Sequence, residues 1–135
     1  MKLIAYIDGA SSGNPGNSGL GVVLQDEDGH IIEKHSEYVG RGTNNRAEYL
    51  ALMKAVELAA LHGANELEVR SDSQLVVRQM TGVYRIKNKE IQKIVIRLWN
   101  VIREKGIKFN IVHIPRELNR AADNLAKKGA TIVAE

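Results

Sequence analysis

At 135 residues the chain has the size of one domain able to bury a substantial core. It contains no cysteine, which excludes disulfides, thiolate zinc sites and a cysteine nucleophile. A net charge of +3 and an isoelectric point of about 9.2 fit contact with a phosphate backbone, a balance that many ordinary enzymes share.

Residues 2–8 and 19–25 read as apolar strands, joined by a Gly/Ser/Asn/Pro-rich loop over 9–18. Asp26 to Gly29 forms a tight turn into a third strand at about 30–39, so the first three strands make an antiparallel meander. From Thr43 the period becomes helical, with Ala47, Leu50, Ala51, Ala55 and Leu58 on one stripe until His62 and Gly63 stop it. LEVRS (67–71) is a fourth strand, followed by a short helix from Ser73 to about Met80. Asn88 to Lys105 is a second long helix, its apolar face built from Ile91, Ile94, Val95, Leu98 and Ile102. Residues 107–114 form a fifth strand and Leu118 to Lys128 a final helix. Helices separate strands one, four and five, which argues for parallel pairing among them.

The expected fold is therefore α/β: a mixed five-stranded sheet, three antiparallel strands then two parallel, with helices on both faces. Residues 1–135 are read as a single domain without repeats or linkers. The opening MKLIAYID turns acidic after its apolar stretch and no run is long enough to span a bilayer, so a soluble, cytoplasmic protein is expected.

Four carboxylates stand at strand ends or in the first turns of helices: Asp8, Glu48, Asp72 and Asp123. Each has an ordinary reading. Asp8 before Gly9 could simply form a turn, and Asp72 could cap the following helix. Glu48 could be a solvated first-turn glutamate, and Asp123 a packing accident beside alanines. Two adjacent parallel strands that both end in Asp favour a site, because their carboxylates would crowd and need a cation. An oxygen-only acidic cluster suits Mg²⁺ or Mn²⁺, and a pair of such ions is the usual clamp for in-line attack on a phosphodiester.

Four ordered motifs carry these acids: DGxxxGNPG from Asp8, TNNRAE from Thr43, SDSQ from Ser71 and NxxADxLA from Asn119. In that order they resemble ribonuclease H type 1, which cuts the RNA strand of RNA–DNA hybrids, over Lys2 to about Gly129. The resemblance implies a ribonuclease H-like fold and two-metal hydrolysis leaving 5′-phosphate and 3′-hydroxyl ends. It implies that Asp8 bridges both metals, Asp123 holds the one that activates water, and Glu48 and Asp72 hold the one that stabilises the leaving oxygen. It further implies that Asn14, Asn44, Asn45 and Gln74 read the hybrid's minor groove. Arg41, Thr43 and Asn88 would form a pocket for a phosphate of the DNA strand. Thr43 also has a plain reading as a helix cap.

Two departures from the family pattern stand out. Only TGVYRIKNKE (81–90) joins the two central helices where many relatives carry a basic protrusion, so weaker substrate binding is expected. No separate N-terminal hybrid-binding module is expected either. The loop before Asp123 is short; relatives often place a mobile histidine there. His113 directly follows the apolar Ile111 and Val112 and reads as a strand residue, whereas Arg116 lies past Pro115, nearer the leaving group. His30, His35 and His62 read as surface residues. The partner expected is an RNA–DNA hybrid, bound by a monomer with no protein partner and no membrane. The alternative reading is a catalytically weak module that binds duplex or structured RNA on the same fold. Four self-repelling acids beside a polyanion argue against it.

Overall fold

The structure is a computed structural model and describes residues 1–131. Strands β1 (Lys2–Ser11), β2 (Gly16–Asp26) and β3 (Ile31–Gly42) come first, then helix α1 (Asn44–Leu61) and strand β4 (Glu66–Ser71). Helices α2 (Gln74–Met80) and α3 (Lys89–Lys105), strand β5 (Lys108–His113), a 3₁₀ turn (Arg116–Leu118) and helix α4 (Arg120–Thr131) complete it. The sheet order is β3-β2-β1-β4-β5, antiparallel from β3 to β1 and parallel from β1 to β5. The mixed sheet expected from the sequence is the one observed.

The strands run further than their composition suggested. The 9–18 stretch was expected to be loop, yet Gly9, Ala10 and Ser11 continue the ladder opposite Leu20, Gly19 and Ser18. Ser11 and Ser18 share a hydroxyl–hydroxyl bond of 2.7 Å, and both hydroxyls reach the Gly42 carbonyl of β3. Side-chain hydrogen bonds thus support small residues that would otherwise favour a loop. The Asp26–Gly29 turn forms as expected, with the Asp26 carboxylate accepting from the Asp28 and His30 amides at 2.9 Å each.

Alternation along β1 and β2 decides which face each helix covers. Leu3, Ala5 and Ile7 enter the main core, where α1 is buried almost all round by Tyr49, Leu52, Val56 and Ala59. Gly9 continues that face, and a Cβ on it would lie 2.3 Å from the Glu48 amide nitrogen. Helix α3 closes the layer from outside through Ile91, Leu98 and Ile102, with Ile94 and Val95 half-buried. On the other face Gly19 and Gly21 meet α4: a Cβ on Gly21 would stand 2.3 Å from the Ala122 carbonyl. The small residues Ala122, Ala126 and Gly129 complete this close approach. Leu118, expected to open the last helix, instead lies in the 3₁₀ turn and is exposed, because the helix proper begins at Arg120.

Candidate active site

The two close helix–sheet approaches converge at the carboxyl end of β1. Asp8 pairs with Gly21 in the ladder, so its side chain lies on the face that α4 covers. Glu48 stands one turn into α1, buried, and its Oε1 accepts from the Gly9 amide at 2.8 Å. Asp72 follows β4 directly and does not cap the next helix; Ser73 does, accepting from the Val76 amide at 3.2 Å. Asp72 Oδ2 instead accepts from Asn119 Nδ2 at 3.1 Å. Carboxylate oxygens of Asp8, Glu48 and Asp72 lie within 4.8 Å of one another. Asp123, from the first turn of α4, lines the same cleft of about 510 Å³ and pairs with Lys127 at 2.9 Å.

Crowding shows in the protonation of the group. Burial pushes the Asp8 carboxyl up to about 6, opposed by the Glu48 carboxyl beside it and helped by Asp123 and Asp72. Burial first, then Asp8, raises the Glu48 carboxyl well above the usual range, against the lowering effect of the Gly9 amide. Burial would raise Asp123 too, but a proton shared from Asp8 and the charges of Lys127 and Arg116 hold it low. The two most enclosed acids therefore hold a proton more readily than the acid at the rim.

A hard divalent cation fits this donor set. All the donors are carboxylate oxygens, and Glu48 Oε2 is buried with no hydrogen-bond partner, an acceptor that a cation would satisfy. Among the described residues the other acid–histidine group, Asp26, Asp28 and His30, lacks this character. It lies on the β2–β3 turn, with Asp26 already capping backbone amides.

Asn44 and Asn45 line the acidic cleft at the start of α1, and Asn14 reaches the same rim, its Oδ1 accepting from the Asn44 amide at 3.1 Å. Gln74 opens α2, exposed, and does not line the acidic cleft. A second cleft, of about 280 Å³, brings together Arg41, Thr43 and Asn88. Two helix N-termini open into it. Thr43 caps α1, accepting from the Arg46 amide at 3.1 Å, and Asn88 Oδ1 caps α3 through the Ile91 amide at 3.0 Å. Capping uses the Asn88 oxygen and leaves its amide NH₂ as a donor. Arg41 is exposed at the mouth, and the whole is suited to an anion.

His113 is the last residue of β5, paired with Ser71, exposed and outside the acidic cleft. Arg116 lines that cleft from the 3₁₀ turn. Of the other histidines, His30 and His62 are exposed, beside Asp26 and Glu33, and His35 is half-buried against Glu37. Asn119 received no role in the sequence reading, although it heads the fourth motif. Its side chain is buried, and its Nδ2 also donates to the Ile7 carbonyl at 2.8 Å.

Comparison with known proteins matches this architecture. The family model described as reverse transcriptase-like covers residues 6–129. A ribonuclease H of Jannaschia sp. is 34% identical over 94% of this chain and 90% of its own length. The chain belongs to the ribonuclease H type 1 family. Ribonuclease HI of Halobacterium salinarum is 41% identical over 94% of this chain, which spans 63% of that protein. The crystal structure of ribonuclease H1 from the same archaeon superposes with a TM-score of 0.90, covering 96% of this chain and 97% of that one. A ribonuclease H1 solved in complex with an RNA/DNA hybrid gives 0.89 at 41% identity, covering 95% and 96%. A bifunctional protein of Mycobacterium tuberculosis matches the whole chain at 34% identity, but the chain spans only 37% of it.

Proposed function

We propose that this chain is a divalent-metal-dependent endonuclease that hydrolyses the RNA strand of RNA–DNA hybrids. The observation that carries the reading is the set of three crowded carboxylates with the orphaned Glu48 Oε2, set in a cleft rimmed by amides. Two Mg²⁺ ions, or Mn²⁺ in their place, held by Asp8, Glu48, Asp72 and Asp123, would supply neutralisation of the phosphate charge and acidification of water. Asp8, central to the cluster, would contribute to both positions. The chain itself supplies positioning and charge rather than a covalent nucleophile. Hydrolysis breaks the P–O3′ bond: the water oxygen joins phosphorus, a proton passes to O3′, and the ends are 5′-phosphate and 3′-hydroxyl.

Hybrid selectivity follows from two separate surfaces. Asn14, Asn44, Asn45 and Gln74 offer amides to base edges and 2′-hydroxyls of a wide minor groove. Arg41, Thr43 and the free NH₂ of Asn88 would hold a phosphate of the DNA strand. Between Arg78 and Lys105 the chain has eight Lys or Arg against two Asp or Glu, so the side adjoining this pocket favours a polyanion. All four acids come from one chain, so a monomer suffices. The relative solved with a hybrid supports the same substrate class for this chain.

Arg41→Ala and Asn88→Ala are expected to raise KM for hybrid several-fold and to flatten its salt dependence, with kcat nearly unchanged. Steady-state kinetics at two or three salt concentrations checks this; a collapse of kcat at unchanged KM would contradict the phosphate-pocket assignment. Arg116 is assigned the late-step role that a histidine fills in relatives. Arg116→Ala should lower turnover several-fold, while His113→Ala should leave turnover near wild type. The reverse pattern, in variants of matched stability, would overturn that assignment. The proposal as a whole is tested by mass analysis of fragments from a defined hybrid, where 2′,3′-cyclic phosphate ends would exclude the proposed hydrolysis.

A further inference from the structure

Asn119 lies between the 3₁₀ turn and α4 with 1% of its surface exposed. One of its amide hydrogens goes to the Ile7 carbonyl at 2.8 Å, one residue before Asp8, and the other to Asp72 Oδ2 at 3.1 Å. Its backbone carbonyl accepts from the Asp123 amide at 3.0 Å, the bond that seats Asp123 in α4. This single residue therefore ties together the elements that carry Asp8, Asp72 and Asp123. Ile7 and Ser71 are the last pair of the β1–β4 ladder, so the side chain spans the point where the two strands part.

We propose that Asn119 is a positioning residue that fixes Asp72, and through its backbone Asp123, against Asp8 in the cation-binding arrangement. The inference rests on the functional reading above. Residue chemistry supports it. Two acceptors, a carbonyl and a carboxylate, must be served at once, and an amide NH₂ has two donors. Aspartate would bring only acceptors to that position. Lysine or arginine would bring a full charge that competes with the cation for Asp72. The neutral amide occupies Asp72 Oδ2 and leaves the other oxygen to bind.

The unused half of the side chain argues the same way. Asn119 Oδ1 is buried without a partner, a desolvated acceptor that an alanine or leucine would avoid. An amide kept in spite of that cost implies that its NH₂ is the part being used. Groups that orient metal-binding side chains in this way typically change metal affinity by about 10- to 100-fold when removed.

The test measures Mn²⁺ binding to the full chain by calorimetry, without substrate, in wild type, Asn119→Ala and Asn119→Ser. Both substitutions keep the backbone bond to Asp123 and remove the clasp. Leu98→Ala, fully buried in α3, serves as a destabilised control away from the site. The expected result is a Mn²⁺ dissociation constant raised about 10-fold or more in each Asn119 variant that folds and unchanged in Leu98→Ala. Hybrid affinity in chelator should stay near wild type, because buried Asn119 is not among the residues assigned to the minor groove or the phosphate pocket. If the Asn119 variants lose melting temperature but bind Mn²⁺ as tightly as wild type, Asn119 is merely structural and the inference falls. Wild type that binds Mn²⁺ yet cleaves no hybrid would overturn the functional reading alone, with the Asn119 affinities still deciding this one.

Discussion

Asp8→Asn should abolish cleavage of hybrid while leaving hybrid binding intact or slightly tighter. Asp8 is the hub of the cluster: burial, Glu48, Asp72 and Asp123 all act on its carboxyl. An amide keeps its shape and removes the charge that cations need. Losing a minor contact costs on the order of 2 kcal/mol in the barrier, or a few per cent of activity remaining. A hub that binds catalytic metal should cost far more, so activity above a few per cent in saturating Mg²⁺ would rule out the central role. Binding should persist because the substitution also removes a negative charge near the phosphates.

Stability without metal should fall as pH rises, and this sets the site apart from an ordinary surface cluster. The Asp8 carboxyl is raised to about 6, and that of Glu48 is raised too. Above the unfolded-state carboxyl range of roughly 4, the folded protein therefore holds more protons than the unfolded chain. That contribution is complete below the range and disappears as pH rises through the folded values. Asp123, held low, acts with the opposite sign and only in more acidic solution. In chelator, melting temperature should drop by about 5 °C or more between pH 5 and pH 7.5. Saturating Mg²⁺ should remove most of the drop, because a cation stabilises the ionised acids. Asp8→Asn should melt higher than wild type at pH 7.5 in chelator. A wild-type profile that is flat, or that rises with pH, would contradict a crowded cluster.

Much of this was legible in the sequence because it depends on local order. Period-two and helical patterns gave all five strands and their pairing sense. Asp8 and Asp72 stand where apolar runs end, so their meeting follows from parallel pairing of β1 with β4. Glu48 is different: a first-turn position alone is equally compatible with a solvated glutamate, and what lets α1 approach closely enough to bury it is the missing side chain at Gly9. The pocket of Arg41, Thr43 and Asn88 joins segments more than forty residues apart, and only the family resemblance linked them beforehand.

What escaped the sequence reading was set by long-range hydrogen bonds. Gly9 to Ser11 have loop-like composition, yet the ladder to β2 and the Ser11–Ser18 bond hold them as strand. Asp72 has the sequence of a cap, but Ser73 is one residue better placed, which frees the carboxylate. Asn119 precedes a helix, where asparagine is commonplace. Its distinguishing partner, the Ile7 carbonyl, lies 112 residues away in the chain. No local pattern records that contact.

The most direct measurement incubates the purified chain with end-labelled RNA–DNA hybrid, DNA duplex and RNA duplex, each with Mg²⁺, Mn²⁺ or chelator. The RNA strand of the hybrid should be cut at internal positions with either metal, and chelator should stop the reaction. The DNA duplex should stay intact throughout. Cleavage that persists in chelator, or a hybrid left whole with both metals, would contradict the account.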